Sequence, residues 1–215
     1  MPFVIKPKMG KLAGLFGGIV AGSYSGKELA GSFRAANRDW PQTRSATLRA
    51  MLLRAALVSD IPGILALEGD PSARAFVGQW SEERHRATLA GGDARYLVSE
   101  TESGDLQAYV ILRGLSEESG SIELKRIVVN TPGQGLGRRL LGETIRIVFE
   151  ELKAHRLFLD VYEDNARARH LYESLGFVYE GVMRDAARRD GRYHALHLMS
   201  MLESDDRPMG QSGGL

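Results

Sequence analysis

Three glycines at alternate positions, Gly133, Gly135 and Gly137, separate a β-branched run from two arginines in "RIVVNTPGQGLGRRLL" (Arg126–Leu141). A strand that enters a glycine turn and then a helix start offers several backbone N–H groups without intrahelical partners. The helix dipole favours negative charge at that point, and glycine lets a ligand approach the backbone closely. Arg138 and Arg139 sit where a purely structural helix would prefer acids. The chemistry predicted is the binding of a phosphate or diphosphate. A Walker loop is excluded because no Gly-Lys-Ser/Thr occurs; the nearest stretch, "AGSYSGKE", has Ala21 for its first glycine and Glu28 after its lysine. A dinucleotide fingerprint read from Gly135 meets Leu140 at its third glycine, and read from Gly133 meets Arg138.

The chain of 215 residues has no cysteine, which removes disulfides, thiolate metal sites and a cysteine nucleophile. No metal site is expected: His194 and His197 fall on opposite sides of a strand, and His170 with Glu173 is a lone pair. Residues 1–50 hold eight Lys/Arg against two acids, and the rest holds twenty against twenty-five. The mildly acidic remainder argues against a nucleic-acid face and suits a cationic substrate. No apolar run reaches the roughly 18 residues that span a membrane. The expected location is the cytoplasm.

The elements that must position this loop read as follows. A strand at Ala50–Leu57 precedes a helix capped by Ser59 or Asp60 with Pro62 in its first turn. Trp80–Ala90 is a helix capped by Ser81. "ARYLVSE", "LQAYVILRGL" and "SIELKRIVV" are strands. Leu136–Ala154 is a long amphipathic helix, His155–Tyr162 a strand, and "NARARHLYESLG" a short helix capped by Asn165 and stopped by Gly176. "FVYEGVM" and "RYHALHLMSML" close the fold as a hairpin turned by Asp190-Gly191. The expected fold class is α/β: a single domain at residues 48–203, with a mixed, mostly antiparallel sheet of about six to seven strands and about four helices. Residues 1–47 form a basic Gly/Ser-containing extension. It reads as a flexible appendage, a product of start-site choice or a targeting segment. Residues 204–215 read as a disordered tail.

"IELKRIVVNTPGQGLGRRLL" together with "NARARHLYESLGFVYEGVMRD" resembles the GCN5-related N-acetyltransferase (GNAT) superfamily, on its RimJ/RimL-like branch, over about Leu48–Leu202. The resemblance implies a single GNAT-like domain and an acetyl-CoA-dependent N-acetyltransferase acting on a small-molecule amine or a protein N-terminus. Acetyl-CoA is then the co-substrate and a homodimer a fair expectation. The alternative is a non-catalytic acyl-CoA-binding module of the same fold. One position departs from the family: Pro132 stands where a Gln or Arg is usual, and Pro132 has no N–H to donate.

By that resemblance, Ile127, Val128 and Val129 offer main-chain groups to the pantetheine arm and thioester, and a bulge in their strand would free an N–H for the oxyanion. The amides of Gln134, Gly135, Leu136, Gly137, Arg138 and Arg139 take the pyrophosphate. Asn165 bonds the pantetheine side, or caps its helix, or both. Arg169 meets a coenzyme phosphate. Tyr172 protonates the leaving thiolate; its other reading is a core aromatic. Glu123 is the general-base candidate, read as sharing a strand face with Lys125, Ile127 and Val129. Glu163 and Asp164 are lesser candidates for the base. Trp80, His85, Glu163 and Tyr193 are candidates for the acceptor site, against packing or solvated roles.

Overall fold

The computed structural model describes residues 53–205. The expected extension at 1–47 and the tail beyond Asp205 lie outside the described residues. Strands β1 (Arg54–Ala55), β2 (Ala94–Glu100), β3 (Leu106–Arg113), β4 (Ser121–Val129), β5 (Arg156–Tyr162), β6 (Val178–Arg189) and β7 (Arg192–Leu202) form one sheet ordered β1-β2-β3-β4-β5-β7-β6. Neighbours are antiparallel except β4 and β5. The helices are α1 (Ile61–Gly69), α2 (Pro71–Arg74), α3 (Glu82–Ala90), α4 (Leu136–Arg146) and α5 (Ala166–Glu173).

Strand alternation sorts the core into two layers. Ala108, Val110 and Leu112 of β3 join Ile122, Leu124, Leu157, Leu159 and Val161 against Leu140, Leu141 and Ile145 of α4 and Tyr172 of α5. Tyr109 and Ile111 join Tyr96, Val98 and Val128 against Ile64 and Leu67 of α1, with Trp80 and Leu89 at the edge. Each fully buried Leu or Ile contributes about 1.5–3 kcal/mol relative to exposure.

Local chemistry explains most boundaries. The Ser81 hydroxyl accepts from Arg84 N–H and starts α3. Asp190 and Gly191 have φ of 50° and 78°, the left-handed pair that a two-residue hairpin loop demands, and Arg189 pairs with Arg192 across it. Three expectations need correction. Among the described residues the first strand is Arg54–Ala55 and stops short of Leu57, because Asp60 accepts from Leu57 N–H and from Arg54 in a tight turn instead of capping α1 with its side chain. The short helix α2 was not foreseen; Asp70 caps it through Ser72 N–H, with Pro71 at its start. The long helix ends at Arg146 and widens into a π turn over Ile147–Glu151, where Leu152 N–H reaches Ile147 C=O at 2.9 Å. Ile147, Val148 and Phe149 are all buried, and three consecutive residues exceed what one face of a 3.6-residue turn directs inward.

The register between β3 and β4 changes at one point. Ile111 lies opposite Arg126 and Leu112 opposite Leu124, so Lys125 is an extra residue on β4. This bulge reverses the parity of the strand. Before it, Ile122 and Leu124 face α4; after it, Ile127 and Val129 do so, and Val128 turns to α1. Glu123 therefore does not share a face with Ile127 and Val129. The unbroken alternation assumed for this strand fails at Lys125.

Candidate active site

β4 and β5 pair only between Ser121–Glu123 and Arg156–Phe158. Beyond that they splay apart. The gap is lined by Leu124 to Val129 and by Asp160 to Tyr162, and it belongs to a cavity of about 870 Å³ with walls on both faces of the sheet.

On the α4/α5 side the wall is the glycine loop and α5. Gly133 and Gly135 have φ of 99° and 77°, conformations that disfavour other residues. Gly135 precedes α4 with no side-chain cap. Arg139 N–H is the first to enter the helix ladder, to Gly135 C=O at 3.2 Å. The amides of Leu136, Gly137 and Arg138 precede that bond and are the donors left for an anion. Arg138 also lines the cavity, with Nη2 2.5 Å from Ser174 Oγ. Arg167 lies beside Gly133, where a Cβ would come within 3.8 Å of its Nη2.

The Asn165 side chain caps α5 through Ala168 N–H at 3.2 Å, and Asn165 also lines the cavity. The helix ends with Phe177 N–H on Tyr172 C=O and Gly176 N–H on Glu173 C=O, with Gly176 at φ 99°. The Phe177 ring packs on Tyr172 at 5.7 Å. "LYESLGF" is therefore a helix stop whose hydrophobic contact fixes the Tyr172 ring at the cavity wall. Burial pushes the Tyr172 hydroxyl well above its ordinary pKa, and the negative charge of Asp160 adds to this.

On the α1/α3 side the wall holds Ala73, Phe76, Val77, Gly78 and Trp80, with Asp160, Tyr162, Lys125 and Arg126 from the strands. Burial raises the Asp160 carboxyl above the usual range, against the opposing charge of Lys125; Glu123 adds to the rise. Lys125 Nζ lies 3.0 Å from Glu123 Oε1 and 3.7 Å from Asp160 Oδ2. Arg189, from the β6–β7 hairpin, contacts two residues of the lining. Its Nη2 meets Asp164 Oδ2 at 2.5 Å, its Nη1 donates to Ala75 C=O, and its guanidinium lies 4.6 Å over the Tyr162 ring.

Of the residues singled out from sequence, the fold brings Trp80, Ile127, Val128, Val129, Gly135, Gly137, Arg138, Asp164, Asn165 and Tyr172 to one cavity. Others stand elsewhere. Glu123 is outside the lining and ion-paired to Lys125. His85 is fully buried, with Nδ1 3.2 Å from the Tyr96 hydroxyl, so it packs α3 on the sheet rather than meeting an acceptor. Tyr193 is 65% exposed on the hairpin beside Arg188. Glu163 is also outside the lining; its N–H donates to Ala195 C=O and its carboxylate accepts from Ala195 N–H. Arg169 reaches His197 and Glu163 C=O; Arg167, two residues earlier and on another side of α5, is the arginine at the loop. Leu136 is in the core, and the Gln134 and Arg139 side chains are exposed. The Arg139 amide is taken by Gly135 C=O and is not a pyrophosphate donor.

Sequence reasoning missed Asp160, Arg126 and Phe76. Asp160 carried a signal, a lone charge inside the alternating strand "RLFLDVY". Among the described residues no group of three or more His, Asp or Glu is placed to hold a metal. No helix among them is long and apolar enough to cross a membrane.

The chain belongs to the acetyltransferase (GNAT) family, whose profile matches residues 68–177. It is 30% identical over 124 residues to a spermidine N(1)-acetyltransferase of Vibrio cholerae, covering 57% of this chain and 72% of the relative. It is 32% identical over 141 residues to a [ribosomal protein bS18]-alanine N-acetyltransferase of Escherichia coli, covering 64% and 88%. The crystal structure of the spermidine N-acetyltransferase from Vibrio cholerae in complex with CoA and spermine superposes with a TM-score of 0.66 at 26% identity. That match covers 73% of this chain and 98% of the other.

Proposed function

We propose that this N-acetyltransferase binds acetyl-CoA on the α4/α5 face of its sheet and admits its amine acceptor from the α1/α3 face, the two meeting at the splay of β4 and β5. The observation that carries the reading is the continuity of the cavity: it runs from the glycine loop and Tyr172 to Asp160, Phe76 and Trp80. Acetyl-CoA supplies the activated acetyl thioester. The amides of Leu136, Gly137 and Arg138 take its pyrophosphate, with Arg138 and Arg167 beside them, and the strand edge of Ile127 to Val129 and Asn165 hold the pantetheine arm. The bulge at Lys125 takes this residue out of the ladder, which supports a free donor for the carbonyl oxygen.

Asp160 is the general base in this proposal, replacing Glu123. It lines the cavity on the acceptor side, and its raised pKa brings it nearer the range useful for proton transfer. It accepts a proton from the attacking nitrogen as the C–N bond forms. Tyr172 gives its hydroxyl proton to the sulfur as the C–S bond breaks; solvent then reprotonates the tyrosine and takes the proton from Asp160. The buried neutral phenol suits that donor role. A cytoplasmic homodimer is also proposed. It is supported by the lack of cysteine and by exposed Val178, Tyr179 and Val182 on the edge strand β6.

The test is thiol release from acetyl-CoA by the full chain, with short N-terminal peptides, spermidine and simple primary amines in parallel. Release with an acceptor of either class is the expected result. Saturable acetyl-CoA binding with no release for any acceptor would overturn the catalytic reading in favour of an acyl-CoA-binding module.

A further inference from the structure

Beneath the acceptor side of the cavity lies a buried polar cluster that the acetyl-transfer step does not use. Arg126 is the first residue after the bulge, is 7% exposed and lines the cavity. Its Nη1 donates to the Glu68 carboxylate of α1. Glu68 is fully buried and gripped in turn: the Tyr109 hydroxyl donates to Oε1 at 2.6 Å, and Trp80 N–H points at Oε2 from 3.5 Å. His85 Nε2 lies 3.2 Å from Oε1, off the axis of a hydrogen bond. The Arg126 guanidinium is also fixed on its flat side, 4.2 Å over the Trp80 ring. Nη2 is turned to Gly78, another residue of the cavity wall, where a Cβ would stand 3.7 Å away.

This is a costly way to hold a side chain if it only packs. Buried ion pairs of this kind are often no better for stability than apolar residues of the same volume. What the arrangement does provide is a planar, rigid donor fork at the cavity floor. Its charge is already balanced by Glu68, so a ligand carboxylate would bring an uncompensated negative charge, whereas a neutral carbonyl oxygen would not. The neighbouring groups complement this. Glu123 is paired with Lys125 and Arg113, and Asp160, farther from Lys125, is the carboxylate of the cavity wall suited to an amine. Asp164 is taken by Arg189. Among the described residues the cavity therefore presents no further carboxylate for a second or third ammonium group.

We infer that Arg126 is a specificity residue that binds the carbonyl oxygen next to the acceptor amine, so that the preferred acceptors are α-amino carbonyl compounds, aminoacyl amides or peptide N-termini, rather than polyamines. The inference rests on the proposed entry of the acceptor from the α1/α3 face. The basicity of the acceptor agrees with it. An α-amino group has a pKa of about 8 and an alkylamine about 10, so the former is far more often a free base near neutral pH.

The experiment titrates acceptors into the full chain saturated with CoA, which cannot donate acetyl, and reads binding by calorimetry. Phenylalaninamide and phenethylamine differ in the carboxamide alone. The tripeptide amide Phe-Ala-Ala separates a peptide source from a small amide, and spermidine is the polyamine arm. Phenylalaninamide is expected to bind at least about tenfold more tightly than phenethylamine. Arg126→Lys, which keeps a cation for Glu68 but loses the fork, is expected to bring the two within about threefold of each other. The wild-type ratio stands as a test even if that variant does not fold. Equal binding of the matched pair, or tighter binding of spermidine than of either carbonyl compound, would overturn the inference. Thiol release measured in parallel separates the two proposals. Release with spermidine alone sinks the acceptor assignment and leaves the transferase standing. Carbonyl-dependent binding without release does the reverse.

Discussion

Replacing Glu68 by alanine would strip the central acceptor from the buried cluster under the cavity. Arg126 would keep its charge, buried and unpaired, and the Tyr109 hydroxyl would lose its 2.6 Å partner. Breaking a buried ion pair from one side costs about 3–5 kcal/mol, and a stranded hydroxyl about 1–3 kcal/mol more when nothing relaxes. The terms share one site and do not add, so about 4 kcal/mol is the working figure. For a domain of this size each kcal/mol shifts Tm by about 2–4 °C. The expected fall is thus about 8–16 °C in a calorimetric scan of the full chain. Glu82→Ala is the control. Its partner Arg86 is an exposed i,i+4 ion pair with both side chains about half accessible, worth roughly 0.3–0.5 kcal/mol.

The acid limb gives the same test a second reading. Burial alone would raise the Glu68 carboxyl, but the His85 ring beside it, the hydrogen bond from Tyr109 and the charge of Arg126 outweigh it and hold it below the usual range. The folded state therefore takes up this proton at lower pH than the unfolded chain. The stabilisation is complete above the ordinary glutamate pKa of about 4.3 and is lost as pH falls through the depressed folded value. Glu68→Ala should flatten that part of the Tm–pH curve. A Tm change no larger than that of Glu82→Ala, with an unaltered acid limb, would refute the reasoning.

Three further predictions concern the cavity itself. Gly135→Asp meets nothing within 4 Å at its Cβ but sits at φ 77°, so it should fold with a loss of about 1 kcal/mol while setting a carboxylate at the pyrophosphate position. Acetyl-CoA affinity should drop more than about tenfold, and an unchanged Kd by calorimetry would remove the loop as the anion site. Tyr172→Phe should lower kcat by about 100-fold with the acetyl-CoA Kd nearly constant; full turnover would end its assignment as the acid. Asp160→Asn should abolish the acidic limb of kcat at saturating acceptor. Because burial raises this carboxyl, that limb should lie above the ordinary aspartate value of about 3.9 in the wild type. A limb that survives the substitution would return the base to another group.

The parts of the molecule that were legible in the sequence are those decided within a few residues. Asn165 and Gly176 bound α5 because a side-chain oxygen caps one end and a left-handed glycine ends the other. Asp190 and Gly191 turn the last hairpin for the same local reason. The glycine loop was readable because strand, turn and helix signals follow one another directly. Long-range partners left no such trace. His85 looked like a ligand for a substrate until Tyr96 and Glu68 closed around it. The resemblance points to Arg169, but Arg167, about 200° away around the helix, is the one beside the loop, while Arg169 meets His197.

The resemblance implies a bulge in this strand, but its place at Lys125 is not legible, because it leaves the apolar pattern intact. In "SIELKRIVV" the even positions from Ile122 to Val128 are buried throughout, yet they are buried in two different layers. A parity change moves every later side chain to the opposite face of the sheet. Ile127 and Val129 thereby join the layer of α4 and α5, beside the glycine loop and Tyr172. Arg126 turns the other way, onto Glu68 and Trp80. Without the extra residue the arginine would point into the apolar layer under α4, and the strand could not serve both faces. The splay of β4 from β5 opens a passage through the sheet, and the bulge gives the two sides of that passage different chemistry. Backbone donors suited to an anion lie on one side, and the Asp160 carboxylate, proposed to meet the amine, lies with the Arg126 fork on the other. A two-substrate transfer needs that division at the point where the substrates meet.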